Sequence, residues 1–486
     1  MNNKRKLVLV VGNTAWQGKR AYTEPTSSVP ILTALLKDRY DLEVIDCNGR
    51  NLSEEDTEYL IKQSNAELVL ITALSVEWHK CYHKVAELAK NALNCPVMMG
   101  GVYPTVSGDY VLGDKNVDYV MLGHAEERIE RIVDLILNRE LEKLYNEPGI
   151  GYRKDSQIII NPICSYIGDV KKMVKPDYSL EDLNLYISEE KSDNAFVKRE
   201  GSIITSYGCP YNCVFCATRT ISGHKVAYRP VDDILEEIEY MIEKYQIDSI
   251  RFLDDNILTD KKRAKLLFTE MIRRKYGIKF QLMNTAAWLL DEEILDLMKA
   301  AGCYALTVSL ESGSDRVLKE IMHKPLKKEL IPIAIDMCQK RNIYVSTNIV
   351  IGLPGETWNE ILDTIAFVEK CNPDFLQINI ATIFPKTDLY NLAKNTGSLA
   401  EGFSFYADDT YYGFAVGHIT TEEFTPEELM IVRAYEWDRI NFTDEEKRKK
   451  FCEFKGISEK KLEKIRREAR RNIGLTYLSH RKDLDE

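Results

Sequence analysis

The chain has 486 residues, of which 44% are apolar and 29% are charged, and its formal net charge is −11. The acidic balance excludes a general nucleic-acid binder, and the sequence contains no apolar run of about 18 or more residues, so no membrane span is predicted. Eleven cysteines without a secretory leader favour a reducing, cytoplasmic setting over a disulfide framework.

The first 140 residues alternate short apolar runs with amphipathic segments. Residues 7–11 and 68–71 have the continuous apolar character of strands that are buried on both faces. Ser53, followed three residues later by Asp56, is a variant of the capping box and predicts a helix start. This pattern predicts a doubly wound, Rossmann-like α/β domain over residues 1–140, with its ligand site at the carboxyl ends of the strands.

The rest of the chain divides into three predicted regions. Residues 141–200 contain one short apolar run and several prolines, and they predict a linker with a small hairpin or helix. Residues 201–394 alternate six apolar runs, the first at 203–205, with helical segments, which predicts a partial (β/α)6 barrel. Residues 395–486 predict a small, mostly helical C-terminal region that includes surface helices interrupted at Gly456.

Three cysteines, Cys209, Cys213 and Cys216, follow the first barrel run with C-x3-C-x2-C spacing. Three thiolates can hold three irons of a [4Fe–4S] cube and leave the fourth iron open to a ligand. A structural zinc site is the alternative, but zinc usually takes four Cys or His ligands, and the next histidine, His224, lies beyond the typical spacing. The spacing therefore favours an iron–sulfur cluster with an open position.

The segment Tyr207-Gly-Cys-Pro-Tyr-Asn-Cys-Val-Phe-Cys216 resembles the cluster loop of the radical S-adenosylmethionine (SAM) enzymes, whose open iron chelates SAM. Three later segments resemble further landmarks of that family: residues 252–256, 308–314 and 349–356. The SAM-binding residues implied by the resemblance are Phe215, Asp254, Asp255, Glu311, Ser312 and Gly352. The two aspartates are candidates for the SAM ammonium, and Glu311 with Ser312 for the ribose hydroxyls and the methionine carboxylate. The plainer alternatives are a helix cap at the aspartates and an ordinary glycine turn after Glu311.

The N-terminal domain resembles the cobalamin-binding domain that often precedes this barrel. Its matching segments are residues 70–74, 100–105 and 122–127, in which two glycines after a strand admit a bulky planar ligand or its nucleotide tail. The Asp-x-His-x-x-Gly signature that supplies a histidine to cobalt is absent, so the resemblance implies cobalamin without that ligand. The implied cobalamin-binding residues are Thr14, Ala15, Trp16, Thr72, Leu74, Gly100, Gly101, Tyr103, Pro104, Thr105 and Gly123. A degenerate domain that binds nothing is the alternative.

Together the resemblances imply a cobalamin-dependent radical SAM methyltransferase with a [4Fe–4S] cluster, SAM and cobalamin as cofactors. It would transfer a methyl group from methylcobalamin to an unactivated carbon after a 5′-deoxyadenosyl radical has abstracted a hydrogen atom. The expected partners are a small-molecule, peptide or protein substrate and an electron donor such as flavodoxin or ferredoxin.

Two other functions remain open at this point. One is a cobalamin-dependent radical SAM enzyme that performs oxidative cyclisation or rearrangement without net methyl transfer. The other, of a different class, is a cobalamin carrier or sensor. An aromatic cluster between Phe403 and Phe414, which includes Tyr411 and Tyr412, is expected either to line the substrate pocket or to seal the tail against the barrel.

Overall fold

The computed structural model describes residues 4–18, 22–188, 194–406 and 414–480, with side chains as far as residue 471. The described chain forms two compact units. Unit 1 comprises the described parts of Met1–Lys191 with Ile204–Pro210 and Thr218–Tyr245. Unit 2 comprises the described parts of Ser192–Ile203, Tyr211–Ala217 and Gln246–Glu486. Among these described residues, none of the helices is both long and apolar enough to cross a bilayer.

The secondary-structure elements follow in chain order. The strands are β1 Lys6–Val11, β2 Asp41–Asp46, β3 Leu68–Thr72, β4 Val97–Gly100, β5 Tyr119–Met121, β6 Ile150–Lys154, β7 Gln157–Ile160, β8 Glu200–Ile203, β9 Ser206–Tyr207, β10 Ala227–Tyr228, β11 Ser249–Phe252, β12 Lys279–Thr285, β13 Cys303–Glu311, β14 Tyr344–Ile351 and β15 Phe375–Ile380. The helices are α1 Ser28–Leu36, α2 Glu54–Ser64, α3 His79–Ala92, α4 Val102–Gly113, α5 Ile129–Leu137, α6 Leu141–Leu144, α7 Thr218–Ser222, α8 Val231–Tyr245, α9 Lys261–Arg274, α10 Glu292–Ala300, α11 Leu330–Gln339, α12 Trp358–Cys371, α13 Asp388–Asn395, α14 Pro426–Phe442, α15 Glu445–Lys455 and α16 Glu459–His480.

Unit 1 is built on a seven-stranded sheet of order β2-β1-β3-β4-β5-β6-β7. The strands β1 to β5 are parallel, as their continuous apolar sequences predict. The Ser53 hydroxyl accepts the Asp56 amide at 3.0 Å and starts α2, which confirms the predicted cap. The hairpin β6–β7 adds two antiparallel strands to the sheet, so this part of residues 141–200 is a structural edge of the sheet.

Unit 1 also contains β9, which precedes Cys209, and α7, β10 and α8, which follow Cys216. A buried ion pair holds these segments together: Arg229 contacts Glu237 at 2.6 Å and donates to the Ile204 carbonyl at 2.7 Å. Tyr178 donates its hydroxyl to the same glutamate. Because a buried charge is stable only when it is paired, this contact fixes α8 to Ile204, in the segment that leads into the cysteine loop.

Unit 2 contains a six-stranded sheet of order β15-β14-β13-β12-β11-β8, in which every pairing is parallel. The predicted position of its first strand, at 203–205, is wrong, since β8 spans Glu200–Ile203. The physical reason is Glu200, whose carboxylate pairs with Arg251 at 2.7 Å and accepts from Gln281 inside the sheet. An apolar run does not reveal a strand that begins with a buried ion pair.

The edge strand β15 is covered by side chains of α14. The Asn441 side chain accepts the Leu376 amide and donates to the Leu376 carbonyl, both at 2.8 Å. Arg433 donates to the Ile378 carbonyl at 2.9 Å. These bonds satisfy backbone groups that a neighbouring strand would otherwise satisfy. The C-terminal region is therefore an integral part of the barrel unit.

The amino ends of strands β13 and β14 in unit 2 are covered by Phe454 from α15. Its ring stacks on Tyr344, the first residue of β14, at 3.8 Å and lies 6.3 Å from the ring of Tyr304 at the start of β13. Gly456 ends α15 in a left-handed conformation, at the predicted interruption. Because this end is filled by aromatic rings, ligands are expected at the carboxyl ends of the strands.

Candidate active site and cofactor sites

The middle of the cysteine loop is anchored by the backbone of Val214. Its amide donates to the Met322 carbonyl at 3.0 Å, and its carbonyl accepts the Leu389 amide at 2.8 Å. The Cys216 amide donates to the Cys213 carbonyl at 3.0 Å, which closes a tight turn around Val214. Cys213 and Phe215 are half-buried and Cys216 is exposed. The half-buried Cys209 belongs to unit 1.

A network of polar and aromatic side chains lies at the carboxyl end of β13. Lys324 donates to Glu311 at 2.9 Å, and both side chains are only 7% exposed. The Lys324 ammonium also lies 5.8 Å from the centre of the Trp288 ring, whose indole N–H donates to the Tyr211 hydroxyl at 2.9 Å. These contacts connect Tyr211, two positions before Cys213, with Glu311 at the end of β13.

Glu311 has an unusual backbone conformation. Its φ is +70°, and the register between β13 and β14 shifts between Ser309 and Glu311. A glutamate in the left-handed region is uncommon, and such strain concentrates at functional sites. Asn348 on β14 donates to Glu311 at 3.3 Å, while its carbonyl oxygen is buried without a partner among the described residues. A ligand with N–H or O–H groups would satisfy these acceptors, as the ribose hydroxyls of SAM would.

The segment after β14 forms a turn around Glu356. One carboxylate oxygen of Glu356 accepts the amides of Gly352 and Leu353 at 2.7 and 3.1 Å. Gly352 has a φ of +87°, which favours glycine. The second oxygen is buried and has no partner in the described part of the chain. Burial raises the pKa of the Glu356 carboxyl to about 7, although the two amides oppose this rise.

The other predicted SAM residues occupy distinct positions. Asp254 is buried directly after β11, and Asp255 is half-buried. The helix caps that follow are Asn256, which accepts the Leu258 amide, and Asp260, so capping is the role of neighbouring residues. Ser312 is fully buried, and its hydroxyl lies 3.1 Å from the Thr364 hydroxyl on α12. A direct contact of Ser312 with SAM therefore stays a prediction.

Unit 1 contains a cavity of about 240 Å³ between the sheet and helices α1 and α5. Thr72, Gly100 and Met121 form one row of its wall at the carboxyl edge, because they are paired in register. The residues that line it are Leu9, Ser27, Ser28, Ile31, Leu32, Leu70, Ile71, Thr72, Met98, Gly100, Gly101, Val102, Thr105, Met121, Gly123, His124, Ala125, Glu126, Ile129, Ile167, Tyr207, Ile221 and Ser222. Five predicted cobalamin residues belong to this wall: Thr72, Gly100, Gly101, Thr105 and Gly123.

The remaining predicted cobalamin residues lie elsewhere in unit 1. Thr14 and Leu74 line a smaller cavity of about 10 Å³ at the ends of β1 and β3. Tyr103 and Pro104 are buried in α4, and the Tyr103 hydroxyl lies 2.9 Å from the His83 ring nitrogen. Ala15 and Trp16 are half-buried, and the Trp16 indole N–H donates to the Leu52 carbonyl.

Sequence reasoning missed several residues of these two sites. No role was assigned to Lys324 from the sequence, whereas the structure pairs it with Glu311. His124 and Glu126 line the cavity of unit 1 with side chains 5% and 8% exposed and 3.5 Å apart. The apolar wall could have been predicted from the alternation of side chains along a strand. Leu9, Leu70 and Met98 lie two residues before the last residues of β1, β3 and β4, so they face the same side of the sheet as those residues. Within the aromatic cluster, Tyr411 and Tyr412 lie outside the described residues.

Comparison with known proteins gives two family matches. The family described as the radical SAM superfamily matches residues 203–368, and the B12 binding domain matches residues 15–133. The chain is 29% identical to an uncharacterized methyltransferase of Pyrococcus horikoshii over 80% of this chain and 83% of that protein. It is 26% identical to the cytidylyl-2-hydroxyethylphosphonate methyltransferase of Streptomyces wedmorensis, over 70% of each chain.

A solved structure shares the fold. The chain matches the radical SAM methyltransferase TsrM of Kitasatospora setae, solved with tryptophan substrate and a SAM analog, with a TM-score of 0.66. The match covers 81% of this chain and 77% of that one at 18% identity. The expected fold class, with a cobalamin-binding-type domain, a radical-SAM-type domain and a helical C-terminal region, is confirmed.

Proposed function

The chain belongs to the cobalamin-dependent radical SAM enzymes, and from this premise we propose that it is a methyltransferase acting on an unactivated carbon. Its cofactors are a [4Fe–4S] cluster, SAM and cobalamin. The cluster and SAM supply a carbon-centred radical that abstracts hydrogen, and the corrinoid supplies the methyl group. The protein's own contribution is to hold these groups, orient them and exclude water.

The three thiols suit the cluster by their chemistry and their spacing. Cys209, Cys213 and Cys216 would hold three irons and leave one for SAM. The backbone anchors at Val214 fix the turn that carries Cys213 and Cys216. Asp254 is buried beyond the end of β11 and would accept the SAM ammonium.

Glu311 and Asn348 suit the sugar of SAM. Both side chains present acceptor oxygens at the carboxyl ends of β13 and β14, and the amide oxygen of Asn348 has no partner within the described residues. Lys324 donates to the Glu311 carboxylate in a buried 2.9 Å contact and thereby holds its side chain in place. The turn at Gly352, which Glu356 fixes through the Gly352 amide, would present its backbone to the adenine.

The cavity of unit 1 suits part of cobalamin. A Cβ atom placed on Gly100 would meet no heavy atom nearer than 3.8 Å, so the glycine leaves space open beside the sheet. The wall around it is largely apolar, with Thr72 and Thr105 at the carboxyl edge. We propose that Thr72, Gly100, Gly101, Thr105 and Gly123 contact the corrinoid.

The observation that carries the methyltransferase proposal is that one chain combines both family domains and has relatives named as methyltransferases that match 80% and 70% of its length. The test uses anaerobically reconstituted protein with reduced cobalamin and SAM labelled in its methyl group. We expect the label on the corrinoid, with release of S-adenosylhomocysteine. A carrier, a sensor or a cyclase that does not transfer methyl groups would leave the label in SAM or methionine.

The cluster assignment has its own matched control. Cys209→Ala should abolish 5′-deoxyadenosine formation and iron–sulfur absorption. Cys164→Ala, which changes an exposed cysteine outside the motif, should retain both. Cleavage of SAM by Cys209→Ala would contradict the assignment.

The reaction needs a reductant and a substrate. We propose flavodoxin or ferredoxin as the electron donor, because an iron–sulfur cluster at low potential needs a one-electron donor of comparable potential. We also propose a cytoplasmic setting and a substrate that is a small molecule, a peptide or a protein.

A further inference from the structure

The concave face of the unit 2 sheet can be identified from the contacts of one carboxylate. Glu200 on β8 accepts hydrogen bonds from Arg251 on β11 at 2.7 Å and from Gln281 on β12 at 2.9 Å. Tyr304 on β13 donates to the same carboxylate at 3.0 Å. Side chains of four strands can converge on one group only from the concave side of a curved sheet. Gln281 and the side chains in register with it therefore point to the concave side.

The concave face of β13, β14 and β15 is lined by uncharged polar side chains. Gln281 pairs in register with Ala305, which pairs with Tyr344, and the side chains on one face of a strand recur every second residue. Phe454 stacks on Tyr344 and forms the floor of this face. Val350 also lies on the face, nearer the carboxyl ends. The hydroxyl and amide side chains above the floor, all at least partly exposed, are Thr307, Ser309, Ser346, Asn348, Gln377 and Asn379.

The charged groups at the two ends of this face are paired with each other. Glu200 and Arg251 form an ion pair at the amino ends of the strands, and Glu311 with Lys324 forms another at the carboxyl ends. Between them, the described side chains of β13 to β15 offer hydrogen-bonding groups and no unpaired charge. A charged substrate group would lose its hydration here without gaining a countercharge, whereas an uncharged polar group would find partners.

Two amide side chains on β15 are spaced like the groups of an extended peptide. Gln377 and Asn379 are two residues apart, which is about 6.6 Å along a strand and matches residues i and i+2 of an extended segment. The Asn379 side-chain oxygen is buried without a partner among the described residues. Such an amide can accept from and donate to the backbone of one residue, as Asn441 does with Leu376 at 2.8 Å.

We propose that the substrate presents an extended, uncharged peptide segment to this concave face, with alternate residues of the segment paired to Gln377 and Asn379. The inference rests on the proposed methyltransferase function and narrows its substrate to a peptide or a protein. A hydrocarbon would leave the Asn379 oxygen unpaired, and one buried, unpaired group lowers affinity by about 5- to 150-fold. An anionic segment would be disfavoured by its lost hydration.

The experiment measures retention of three probes in equilibrium dialysis against full-length protein that holds its cluster, cobalamin and SAM. The first probe is a pool of randomised hexapeptides of glycine, alanine, serine, leucine and phenylalanine with acetylated and amidated ends. The second is the same pool with two aspartates in each peptide, and the third is geranylgeraniol. We expect the neutral pool to be retained at least about tenfold more strongly than either other probe, and to acquire labelled methyl groups from SAM.

The outcomes separate this proposal from the proposed function. Equal retention of the three probes, or no retention of the neutral pool, would overturn the peptide proposal. The proposed function would remain intact if labelled SAM still methylates the corrinoid and releases S-adenosylhomocysteine. Absence of the label from the corrinoid would instead contradict the proposed function.

Variants locate the binding on β15. Asn379→Leu keeps the approximate size of the side chain and removes its hydrogen-bonding groups, so retention of the neutral pool should fall at least about fivefold. Asn391→Leu is the matched control, because Asn391 is exposed on α13, and it should change retention less than about twofold. Equal effects of the two substitutions would overturn the proposal. If Asn379→Leu does not fold, the comparison of the three probes with the wild-type protein still decides.

Discussion

At the scale of single residues, Glu311 combines three uncommon properties. It is buried, it carries a charge that is paired with Lys324, and its backbone lies in the left-handed region. Each property is unfavourable by itself, and their coincidence supports the proposal that this position contacts SAM. The partner lysine also approaches Trp288, which is bonded to Tyr211 in the cysteine loop. Glu311 and the loop thus share one set of contacts.

Substitution of Lys324 by methionine tests this pair. We expect a loss of about 3–5 kcal/mol in unfolding free energy, because the Glu311 charge stays buried without its partner. Adding Glu311→Gln should restore most of the stability, while SAM affinity stays low. Chemical denaturation and equilibrium dialysis with SAM measure the two effects. Lys340→Met, which removes an exposed pair with Asp336, should change stability by less than about 1 kcal/mol.

Glu356 gives a prediction that depends on pH. Its pKa rises from 4.5 to about 7 in the folded state because of burial, and this corresponds to about 3 kcal/mol. Between these values the unfolded chain releases the proton and the folded chain keeps it, so stability falls as pH rises. Compared with Glu356→Gln, the wild-type protein should lose up to about 3 kcal/mol between pH 4.5 and 7. Parallel pH profiles of the two proteins would show that this carboxyl does not titrate abnormally.

The residues that sequence predicts best are those whose chemistry follows from identity alone. The three cysteines and the paired glycines need no tertiary information, because thiolates bind iron and glycines leave space. Lys324 reaches Glu311 only because a π-helix over Val317–Ile321 brings the chain back across 13 positions. His124 reaches the cavity through the loop after β5. Neither contact has a periodicity that a linear pattern reveals.

At the scale of elements, α14 replaces a strand. Asn441 presents a donor and an acceptor to Leu376 in the same way that a peptide unit of a neighbouring strand would. The same helix places Leu429 against the turn at Gly352, where a Cβ atom would lie 2.4 Å from the leucine. One helix therefore covers the sheet edge and supports the candidate SAM turn.

Substitution of Asn441 by alanine tests the edge contact. Two buried backbone groups of Leu376 would lose their partners, and we expect a loss of about 2–4 kcal/mol in unfolding free energy. The exposed strand edge should also increase aggregation, measured by light scattering. Thr443→Ala, two residues later on an exposed position, should change stability by about 0.5 kcal/mol or less. Equal effects of both substitutions would contradict a specific role for Asn441.

Element boundaries were predictable where the strands are purely apolar. The runs predicted as strands at 7–11 and 68–71 lie within β1 and β3, and each run is one residue shorter than its strand. The start of β8 was not predictable, since Glu200 joins the strand through an ion pair with Arg251. The joining of β6 and β7 to the first sheet was also missed, because local sequence specifies a hairpin but not the edge on which it lies.

At the scale of the whole molecule, the cavity lies entirely in unit 1, and Glu311, Lys324 and Gly352 lie in unit 2. We therefore expect the two binding functions to be separable by substitution. Cys213→Ala should abolish SAM cleavage and leave cobalamin affinity within about twofold. Gly100→Leu should weaken cobalamin binding and leave reductive cleavage of SAM to 5′-deoxyadenosine in place. Absorbance titration and product chromatography measure the two outcomes, and loss of both functions in either variant would contradict separability.

The two backbone hydrogen bonds of Val214 have a consequence for the stability of the protein without its cluster. Backbone hydrogen bonds to Met322 and from Leu389 hold the turn between the second and third cysteines, and neither bond involves a metal. Oxygen damage that removes the cluster would then leave the turn between Cys213 and Cys216 folded. Metal-depleted protein should melt close to the temperature of the intact form, unlike small zinc domains that collapse when stripped. We therefore expect the metal-depleted protein to regain its iron–sulfur absorption when it is reconstituted anaerobically with iron and sulfide.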